Sequence, residues 1–278
     1  MVPTQADQPT MFKGEAGPVD DAGTHPPVWL GLLGSFRLFR NGQPVAVRSG
    51  GKTEALLAQL GLARTRGVSR QVLLRAIWPE SEESLANNAL NNLVHTIRVL
   101  LGEALGGATA VVQSSGYYRL NHEAGVVVDV SQFEVLAAQS DWYARTDDTS
   151  VAASLAERAI SLYRGDLSSR GDGAVEILER DRLRATCLAL LMRLADHAFD
   201  SHEFSKCLSY ALQLLAYDPC REDAHRQVMR CHVRRGERAQ ALRHYRTVQT
   251  ILRAEFDVEP EPATTGLFEQ IRLDPGAV

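Results

Sequence analysis

The pattern of hydrophobic and polar residues divides the chain into a first part with strands and helices and a second part with helices alone. In "VWLGLLGSFRLFRNGQPVAVRSG" (28–50), β-forming residues alternate with polar ones and are interrupted at Asn41-Gly42. An Asn-Gly pair between two such runs is a strong hairpin signal, because both residues tolerate a positive φ. The pattern therefore predicts a small antiparallel sheet over 28–49.

Three helices and a second hairpin are predicted next. Apolar residues recur at helical spacing in three consecutive segments, "KTEALLAQLGLA" (52–63), "SRQVLLRAIW" (69–78) and "ESLANNALNNLVHTIRVLLG" (83–102). The second segment begins with a capping serine and is stopped by Pro79, and the third ends at Gly102. The segment "AVVQSSGYYRLN" (110–121) predicts two short strands around Ser114-Ser115-Gly116.

From residue 129 onward the pattern indicates helices only. Short connections separate the predicted helices, which span 131–145, 148–164, 174–200, 204–217, 221–235, 237–254 and 262–272. Leu208 and Ala211 recur as Leu242 and Tyr245 at an offset of 34 residues. That period and the paired helices predict an array similar to tetratricopeptide repeats.

The ends and the composition of the chain favour a cytoplasmic protein. The chain has 278 residues and no apolar run near the ~18 residues that suggest a membrane helix. Residues 1–27 are rich in Pro, Gly and Asp, and they lack the basic start and apolar core of a secretory signal. We expect them to form a disordered tail and expect no membrane partner.

Charge is distributed unevenly, although the net charge is only −4. Residues 28–128 hold ten basic residues (Lys or Arg) and six acidic residues (Asp or Glu). Residues 129–278 hold 19 basic and 24 acidic residues. The tail, 1–27, holds one basic and four acidic residues. A basic segment in an acidic chain indicates a polyanionic partner for that segment alone.

The helix over 83–102 carries the candidate functional residues. At 100° per residue its apolar face contains Leu90, Val94, Ile97 and Leu101, and the opposite face presents the candidate base-reading residues Asn88, Asn91, Asn92 and His95. Four asparagines within six residues cost the helix about 2 kcal/mol relative to alanine, and a merely solvated face more often carries Lys, Glu or Arg. Asparagine can pair with adenine in the major groove, so we predict base reading over the alternative of a solvated face.

The order of elements, a small sheet, three helices and a hairpin, is that of a winged helix-turn-helix with its third helix in the major groove. Other polar residues near this helix and hairpin are candidate contacts to the DNA backbone, which position a protein without reading sequence: Lys52, Arg64, Arg66, Arg70, Thr96, Arg98, Tyr118 and Arg119. The acidic loop before the third helix contains Glu80, Glu82 and Glu83. These residues either complement the helix dipole, with Ser81 or Ser84 as cap, or, as a resemblance of this layout to OmpR-type proteins implies, face RNA polymerase.

Two fragments resemble parts of a nucleotide-binding site but do not assemble into one. Gly51-Lys52-Thr53 matches the end of a phosphate-binding loop, yet the glycine required at its start is Ala46. The run "VVVDV" (126–130) resembles a strand with a magnesium-binding aspartate, but no βαβ alternation surrounds it, so we expect no parallel sheet. We predict that Lys52 meets nucleic-acid phosphate rather than ATP.

No pattern supports catalysis, a cofactor or a metal. Cys220, His225, Cys231 and His232 are close in sequence, but their spacing matches no zinc motif, and the four cysteines are expected to be reduced. Ser-His-Asp and paired-carboxylate arrangements are likewise not indicated. We therefore predict a protein that is not an enzyme and needs no cofactor.

Several segments resemble one family of bacterial regulators. The pieces "LGSFRLFRNGQPV", "GKTEALLAQLGL", "VSRQVLLRAIWPE", "ALNNLVHTIRVLLG", "SSGYYRL" and "VDVSQFE" resemble the N-terminal half of the Streptomyces antibiotic regulatory proteins (SARPs). "LYRGDL" and the stretch from "YDPCRED" to "TTGLFEQI" resemble the bacterial transcriptional activator domain of that family. The resemblance covers about 28–272 and is most specific between Gly236 and Pro262.

This resemblance implies a winged-helix DNA-binding domain over 28–128 and a tetratricopeptide-like activator domain over 129–278. It implies a nucleoid-associated activator of antibiotic or other secondary-metabolite genes that binds direct repeats near the −35 region. The implied partners are double-stranded promoter DNA, a second protomer on that DNA, RNA polymerase and its sigma factor. Members of the family carry more basic residues on the third helix than Arg98 alone, so the recognised base sequence cannot be transferred. The alternative is a tetratricopeptide-like adaptor without DNA binding.

Overall fold

The computed structural model describes residues 23–167 and 174–277 and groups them into two compact units. Most of the predicted tail, residues 1–22, lies outside the described residues. The end of that tail is already part of the fold, because the Pro27 carbonyl accepts a hydrogen bond from Asn41 N–H at 3.0 Å. The ring of His25 also lies against Gly42, so a side chain at position 42 would collide with it.

The first unit begins with a four-stranded sheet in the order β3-β2-β1-β7. Its strands are β1 (Val28–Gly31), β2 (Arg37–Arg40), β3 (Gln43–Pro44) and β7 (Val126–Val128). The turn between β2 and β3 has positive φ angles at Asn41 (49°) and Gly42 (76°), as the hairpin signal predicted.

The expectation of no parallel sheet is wrong at one strand pair of an otherwise antiparallel sheet. Strand β7, the apolar part of "VVVDV", pairs parallel with β1 in the register Val28 to Val126. All three helices and the second hairpin lie between these strands along the chain, so the pairing is not visible as a local βαβ pattern.

Asp129, the aspartate of "VVVDV", is fully buried where β7 ends. Its carboxylate accepts hydrogen bonds from the backbone N–H groups of Leu32 (2.8 Å), Leu33 (2.9 Å) and Val130 (2.7 Å), and Arg37 lies 3.8 Å away. Burial raises the pKa of Asp129 to about 6, and the hydrogen bonds and Arg37 oppose that rise. The aspartate therefore ties the end of β1 to the start of the next helix.

Three helices pack within the first unit: α1 (Lys52–Leu62), α2 (Arg70–Ile77) and α3 (Glu83–Gly102). Their apolar faces form a core that includes the fully buried Leu56, Leu60, Leu73, Leu90 and Ile97. The Ser69 hydroxyl accepts a hydrogen bond from Val72 N–H and caps α2, as predicted. Helix α3 instead begins after Glu82 without a side-chain cap, so the alternative of a Ser81 or Ser84 cap is wrong.

The second hairpin is part of a three-stranded sheet in the order β4-β6-β5. Its strands are β4 (Val68–Ser69), β5 (Val111–Ser114) and β6 (Tyr117–Leu120), and β4 was not predicted. The turn at Ser115 and Gly116 has positive φ angles of 51° and 79°. Backbone N–H of Arg70 donates to the Gly116 carbonyl at 3.0 Å, so the hairpin tip is attached to the start of α2.

The remaining helices are α4 (Asp129–Arg145), α5 (Thr149–Leu162), α6 (Ala174–Asp200), α7 (Phe204–Tyr217), α8 (Glu222–Arg234), α9 (Arg238–Phe256) and α10 (Pro262–Leu273). Their bounds agree with the predicted helices to within about two residues. The first unit is larger than 28–128, because it also contains 129–135 and 162–183. Phe133 and Tyr163, for example, pack within it as a tilted ring pair, with 5.4 Å between ring centroids.

The second unit contains 136–161 and 184–278 and is helical throughout its described part. Two clusters of mainly apolar side chains fill seams between its helices. One cluster joins α6, α7 and α8 through Ala195, Ala198, Cys207 and Cys231. Another joins α8, α9 and α10 through Met229, Ala241, Tyr245, Leu267 and Ile271. Both clusters lie at helix seams, as in an array of helix pairs.

Candidate nucleic-acid interface

Helix α3 separates its apolar and polar residues onto two faces. Ala86, Leu90, Val94, Ile97 and Leu101 are buried against the core. The side chains at the predicted base-reading positions, Asn88, Asn91, Asn92 and His95, are all exposed, as are those of Thr96 and Arg98. The helix therefore presents a row of hydrogen-bonding groups to the outside of the first unit.

Two apolar residues flank this row and were missed by the sequence analysis. Leu85 is 63% exposed and Val99 is 69% exposed, although large apolar side chains on α3 are otherwise directed inward. Positions 85, 88, 92 and 99 follow one side of the helix at spacings of three, four and seven residues, so this alignment could have been noticed. Apolar side chains in the major groove contact the thymine methyl group.

Arg70 lies at the start of α2 and connects three elements. Its guanidinium donates to the Asn87 side-chain and main-chain oxygens, to Asn91 Oδ1 at 3.0 Å and to the Tyr118 hydroxyl. It thereby joins α2, α3 and strand β6. The side chain that was expected to contact the DNA backbone is instead engaged within the protein.

The predicted contact of Tyr118 with the DNA backbone is also corrected. Its side chain is 1% exposed, and its hydroxyl accepts the hydrogen bond from Arg70. The neighbouring Tyr117 is 53% exposed, because alternate residues of a strand point to opposite faces. Of this pair, Tyr117 is the one available on the outer face of the hairpin.

The predicted contact of Arg64 with the DNA backbone is the third that the structure corrects. Its guanidinium pairs with Glu134, at 2.6 Å from Nε to Oε2, and with Glu179. Arg182 pairs with the same two carboxylates, so four charged side chains form one network within the first unit. A guanidinium shared between two carboxylates is not free to bind a phosphate.

This network predicts a specific pH dependence. Arg182 and Arg64 lower the pKa of Glu179 to about 2 from an ordinary value of 4.5. A carboxyl group with a lowered pKa stabilises the folded state above its ordinary pKa, and that contribution disappears as the pH falls toward 2. We expect Glu179→Gln to reduce the unfolding free energy at pH 7, and the difference from wild type to shrink between pH 4.5 and 2.

Urea unfolding of both proteins across this pH range measures the difference. Glu103→Gln is the matched control, because Glu103 is 86% exposed and its nearest guanidinium, from Arg40, is 3.6 Å away. An exposed pair of this kind contributes little. A difference for Glu179→Gln that stays constant with pH would contradict the expected linkage.

The other proposed backbone contacts remain at the surface. Lys52 is exposed, with its amine 4.9 Å above the centre of the Trp78 ring, and Arg66 is exposed. Arg119 lies 3.8 Å from Glu123 and remains 34% exposed. The Thr96 hydroxyl donates to the Asn92 carbonyl within α3 at 2.9 Å. Thr96 and Arg98 lie on α3 and Arg119 on strand β6, whereas Lys52 begins α1 and Arg66 follows that helix.

The nucleotide-site fragments have other roles in the structure. The strand before Gly51-Lys52-Thr53 is β3, which has two residues and pairs antiparallel at the sheet edge. The Glu54 carboxylate accepts a hydrogen bond from Gly50 N–H at 2.8 Å, where a phosphate-binding loop would direct its amides to an anion.

The side chains of Glu80, Glu82 and Glu83 in the acidic loop before α3 are exposed.

Within 23–167 and 174–277, no set of three or more His, Cys, Asp or Glu side chains is arranged to hold a metal ion. A hydrogen bond of 2.9 Å links Nδ1 of His225 and Nε2 of His244. The thiols of Cys207 and Cys231 are free and buried. Among the described helices, none combines the length and apolar content that a membrane crossing requires.

The folds of the two units define a winged helix-turn-helix unit and a tetratricopeptide-like helical unit. The overall fold is shared with the solved structure of Mycobacterium tuberculosis EmbR in complex with a low-affinity phosphopeptide, at a TM-score of 0.71 and 24% identity. That match covers 91% of this chain and 68% of the solved chain.

Residues 128–272 match the family model of the bacterial transcriptional activator domain. The chain belongs to this family, which confirms the resemblance of its second part to the activator domain.

Two relatives illustrate the family. The regulatory protein AfsR of Streptomyces coelicolor is 28% identical over 247 residues, which cover 88% of this chain and 24% of AfsR. The transcriptional regulatory protein MoaR1 of Mycobacterium tuberculosis is 25% identical over 248 residues, which cover 88% of this chain and 79% of MoaR1. The chain thus spans about a quarter of the length of AfsR. Its relatives are transcriptional regulators.

Proposed function

We propose that the chain is a sequence-specific DNA-binding activator that reads promoter DNA with the exposed face of α3. The observation that carries this proposal is the row of exposed amide side chains, Asn88, Asn91 and Asn92, opposite a fully apolar buried face. Amide groups offer a donor and an acceptor in one plane, which matches the edge of adenine in the major groove. The apolar Leu85 and Val99 on the same side favour contact with thymine methyl groups.

In this proposal the DNA backbone is contacted by surface cations of the first unit, namely Lys52, Arg66, Arg98 and the partly exposed Arg119. Each phosphate neutralised releases counterions, so affinity falls with salt by about 0.9 logarithmic units per contact and per tenfold change in salt concentration. A small number of contacts is consistent with the modest excess of ten basic over six acidic residues in 28–128. Affinity from one copy of this unit is therefore limited.

The finer parts of the proposal follow from the family. We propose that two protomers bind direct repeats near the −35 region of genes for antibiotic or other secondary-metabolite synthesis, on the bacterial nucleoid. Glu80, Glu82 and Glu83 form an exposed acidic loop. We propose that this loop faces RNA polymerase, and that the helical unit supplies further contacts to the polymerase, its sigma factor or the second protomer.

Selection from a pool of random duplexes with the intact chain tests the proposal directly. We expect an enriched motif, bound with an affinity that decreases steeply between 50 and 200 mM salt. If no motif is enriched and duplexes are not bound, the chain is the protein-binding adaptor considered as the alternative.

Asn92→Ala tests the role of the exposed amides. We expect discrimination at one base pair of the selected motif to fall by about 1–3 kcal/mol, because the amide can no longer bind the base edge. Stability should be unchanged or higher by a few tenths of a kcal/mol, since alanine is the better helix former. Competition binding with single-base variants of the motif and thermal unfolding measure these two effects.

Gln213→Ala is the matched control, because Gln213 is an exposed amide on helix α7 of the other unit. It should leave both the motif and the affinity unchanged. If Asn92→Ala destabilises the protein and binds every single-base variant as wild type does, α3 is docked on protein rather than on DNA.

A further inference from the structure

Arg70 is the most extensively engaged side chain beside the exposed face of α3. An arginine has five N–H donors and no acceptor. In Arg70, Nε and Nη1 donate to Asn87 Oδ1 and the Tyr118 hydroxyl, and Nη2 donates to the Asn87 carbonyl (3.2 Å) and Asn91 Oδ1 (3.0 Å). Four of its five donors are thus satisfied inside the protein.

This arrangement fixes the orientation of the Asn91 amide. Because a guanidinium can only donate, the atom of Asn91 that faces Arg70 must be its oxygen. The amide nitrogen of this exposed side chain is then turned away from Arg70. Asn87 is held in the same manner, with its oxygen on Arg70 and its nitrogen donating to the Glu83 carbonyl at 2.8 Å.

Contacts with the hairpin constrain Arg70 as well. Its ring contact and hydrogen bond lie on Tyr118, which is buried, and its main-chain N–H donates to Gly116 in the hairpin turn. The guanidinium therefore cannot reorient without breaking contacts in α3 and in the hairpin together. A side chain held in this way has lost most of its conformational freedom before any ligand binds.

We infer that Arg70 is a positioning residue for base reading, which holds Asn91 with its Nδ2 donor directed at the major groove, and that Asn91 reads a purine through N7. Adenine is favoured, since Asn91 Oδ1 keeps a second lone pair that can accept from adenine N6. This inference rests on the proposed function and replaces the expected phosphate contact of Arg70 by an indirect role in specificity.

Arg70→Lys separates the two roles, because lysine keeps the positive charge but cannot hold three partners with a planar fork. The motif selected with wild-type protein is first scanned with Asn91→Ala, which identifies the base pair that Asn91 reads. At that base pair we expect Arg70→Lys to lose roughly tenfold or more of the discrimination. The double variant should discriminate no worse than Asn91→Ala alone, since the two residues act as one unit.

The salt dependence supplies the second readout. Arg70→Ala should leave the slope of log affinity against log salt unchanged, whereas loss of a phosphate contact lowers it by about 0.9. Arg66→Ala is the control for that loss, because Arg66 is an exposed arginine of the same unit and a proposed phosphate contact. Preserved base discrimination in Arg70→Lys, or a reduced slope in Arg70→Ala, would overturn the positioning role while the proposed function stands.

Asn91→Asp provides a test that does not alter Arg70. A carboxylate keeps an acceptor for Arg70 but removes the donor, so the preference should move from a purine to cytosine, whose N4 amino group donates in the major groove. A retained purine preference in this variant would contradict the inferred orientation. Failure of the wild-type chain to select any motif overturns both this inference and the proposed function.

Discussion

Replacing Asp129 by asparagine should destabilise the first unit by about 1–3 kcal/mol, the cost of leaving a buried hydrogen-bond donor unsatisfied. The carboxylate is fully buried and accepts hydrogen bonds from three backbone amides, at Leu32, Leu33 and Val130. Asparagine has the same shape, but its amide nitrogen would oppose one of these N–H donors, whereas Arg37 keeps its hydrogen bond to the Leu33 carbonyl at 3.3 Å.

Urea unfolding at pH 7, where the wild-type carboxylate is ionised, measures this loss. Asp181→Asn is the matched control, because Asp181 belongs to the same unit and is exposed on α6. It should change the unfolding free energy by less than about 0.5 kcal/mol, as exposed substitutions usually do. A similarly small effect of Asp129→Asn would show that the junction between β1, β7 and α4 is held by other contacts.

Local pattern was sufficient to predict the helices and the two hairpins but not the long-range pairing of strands. The hairpin at Asn41-Gly42 and the helices of the second part follow from short-range signals, turn chemistry and a period of 3.6 residues. The parallel pairing of β1 with β7 joins segments almost 100 residues apart, and the two-residue strand β4 has no periodicity to detect. The apolar residues around the aspartate of "VVVDV" are compatible with its burial. Its hydrogen-bond donors at Leu32 and Leu33 could not be predicted, because they lie 97 and 96 residues away.

The candidate interface shows the same division. The exposed face of α3 was predictable because the apolar positions of an amphipathic helix determine which positions point outward. The partners of charged residues were not predictable, since they lie on other elements. Arg70 meets Asn87 and Tyr118, 17 and 48 residues away, and Arg64 meets Glu134, 70 residues away. A lysine or arginine in the sequence is a candidate phosphate contact. Only the fold shows whether its charged group is already bonded to another side chain of the protein.

Inserting five base pairs between two direct repeats of the selected motif should abolish cooperative binding by the proposed pair of protomers. Single DNA-binding modules bury only about 600–1,000 Å² on DNA, and the modest positive charge of 28–128 limits electrostatic affinity. Tight binding therefore requires contact between two protomers on one side of the duplex, with repeats spaced by ~10–10.5 base pairs. Five base pairs rotate one protomer by about half a turn and separate the contacting surfaces.

We expect the coupling between the two sites, typically about 1–3 kcal/mol or 5- to 150-fold in affinity, to disappear with this insertion. Footprinting titrations of duplexes with one repeat, two repeats and two repeats with the insertion measure the coupling directly. The first control replaces five spacer base pairs without changing the spacing, and it should bind as the parent duplex does. The second inserts ten base pairs, which returns both protomers to one side and should recover part of the coupling if the helical unit can span the added ~34 Å. Equal coupling in all four two-repeat duplexes would mean that the protomers bind independently of their orientation, and the proposed pairing on direct repeats would be wrong.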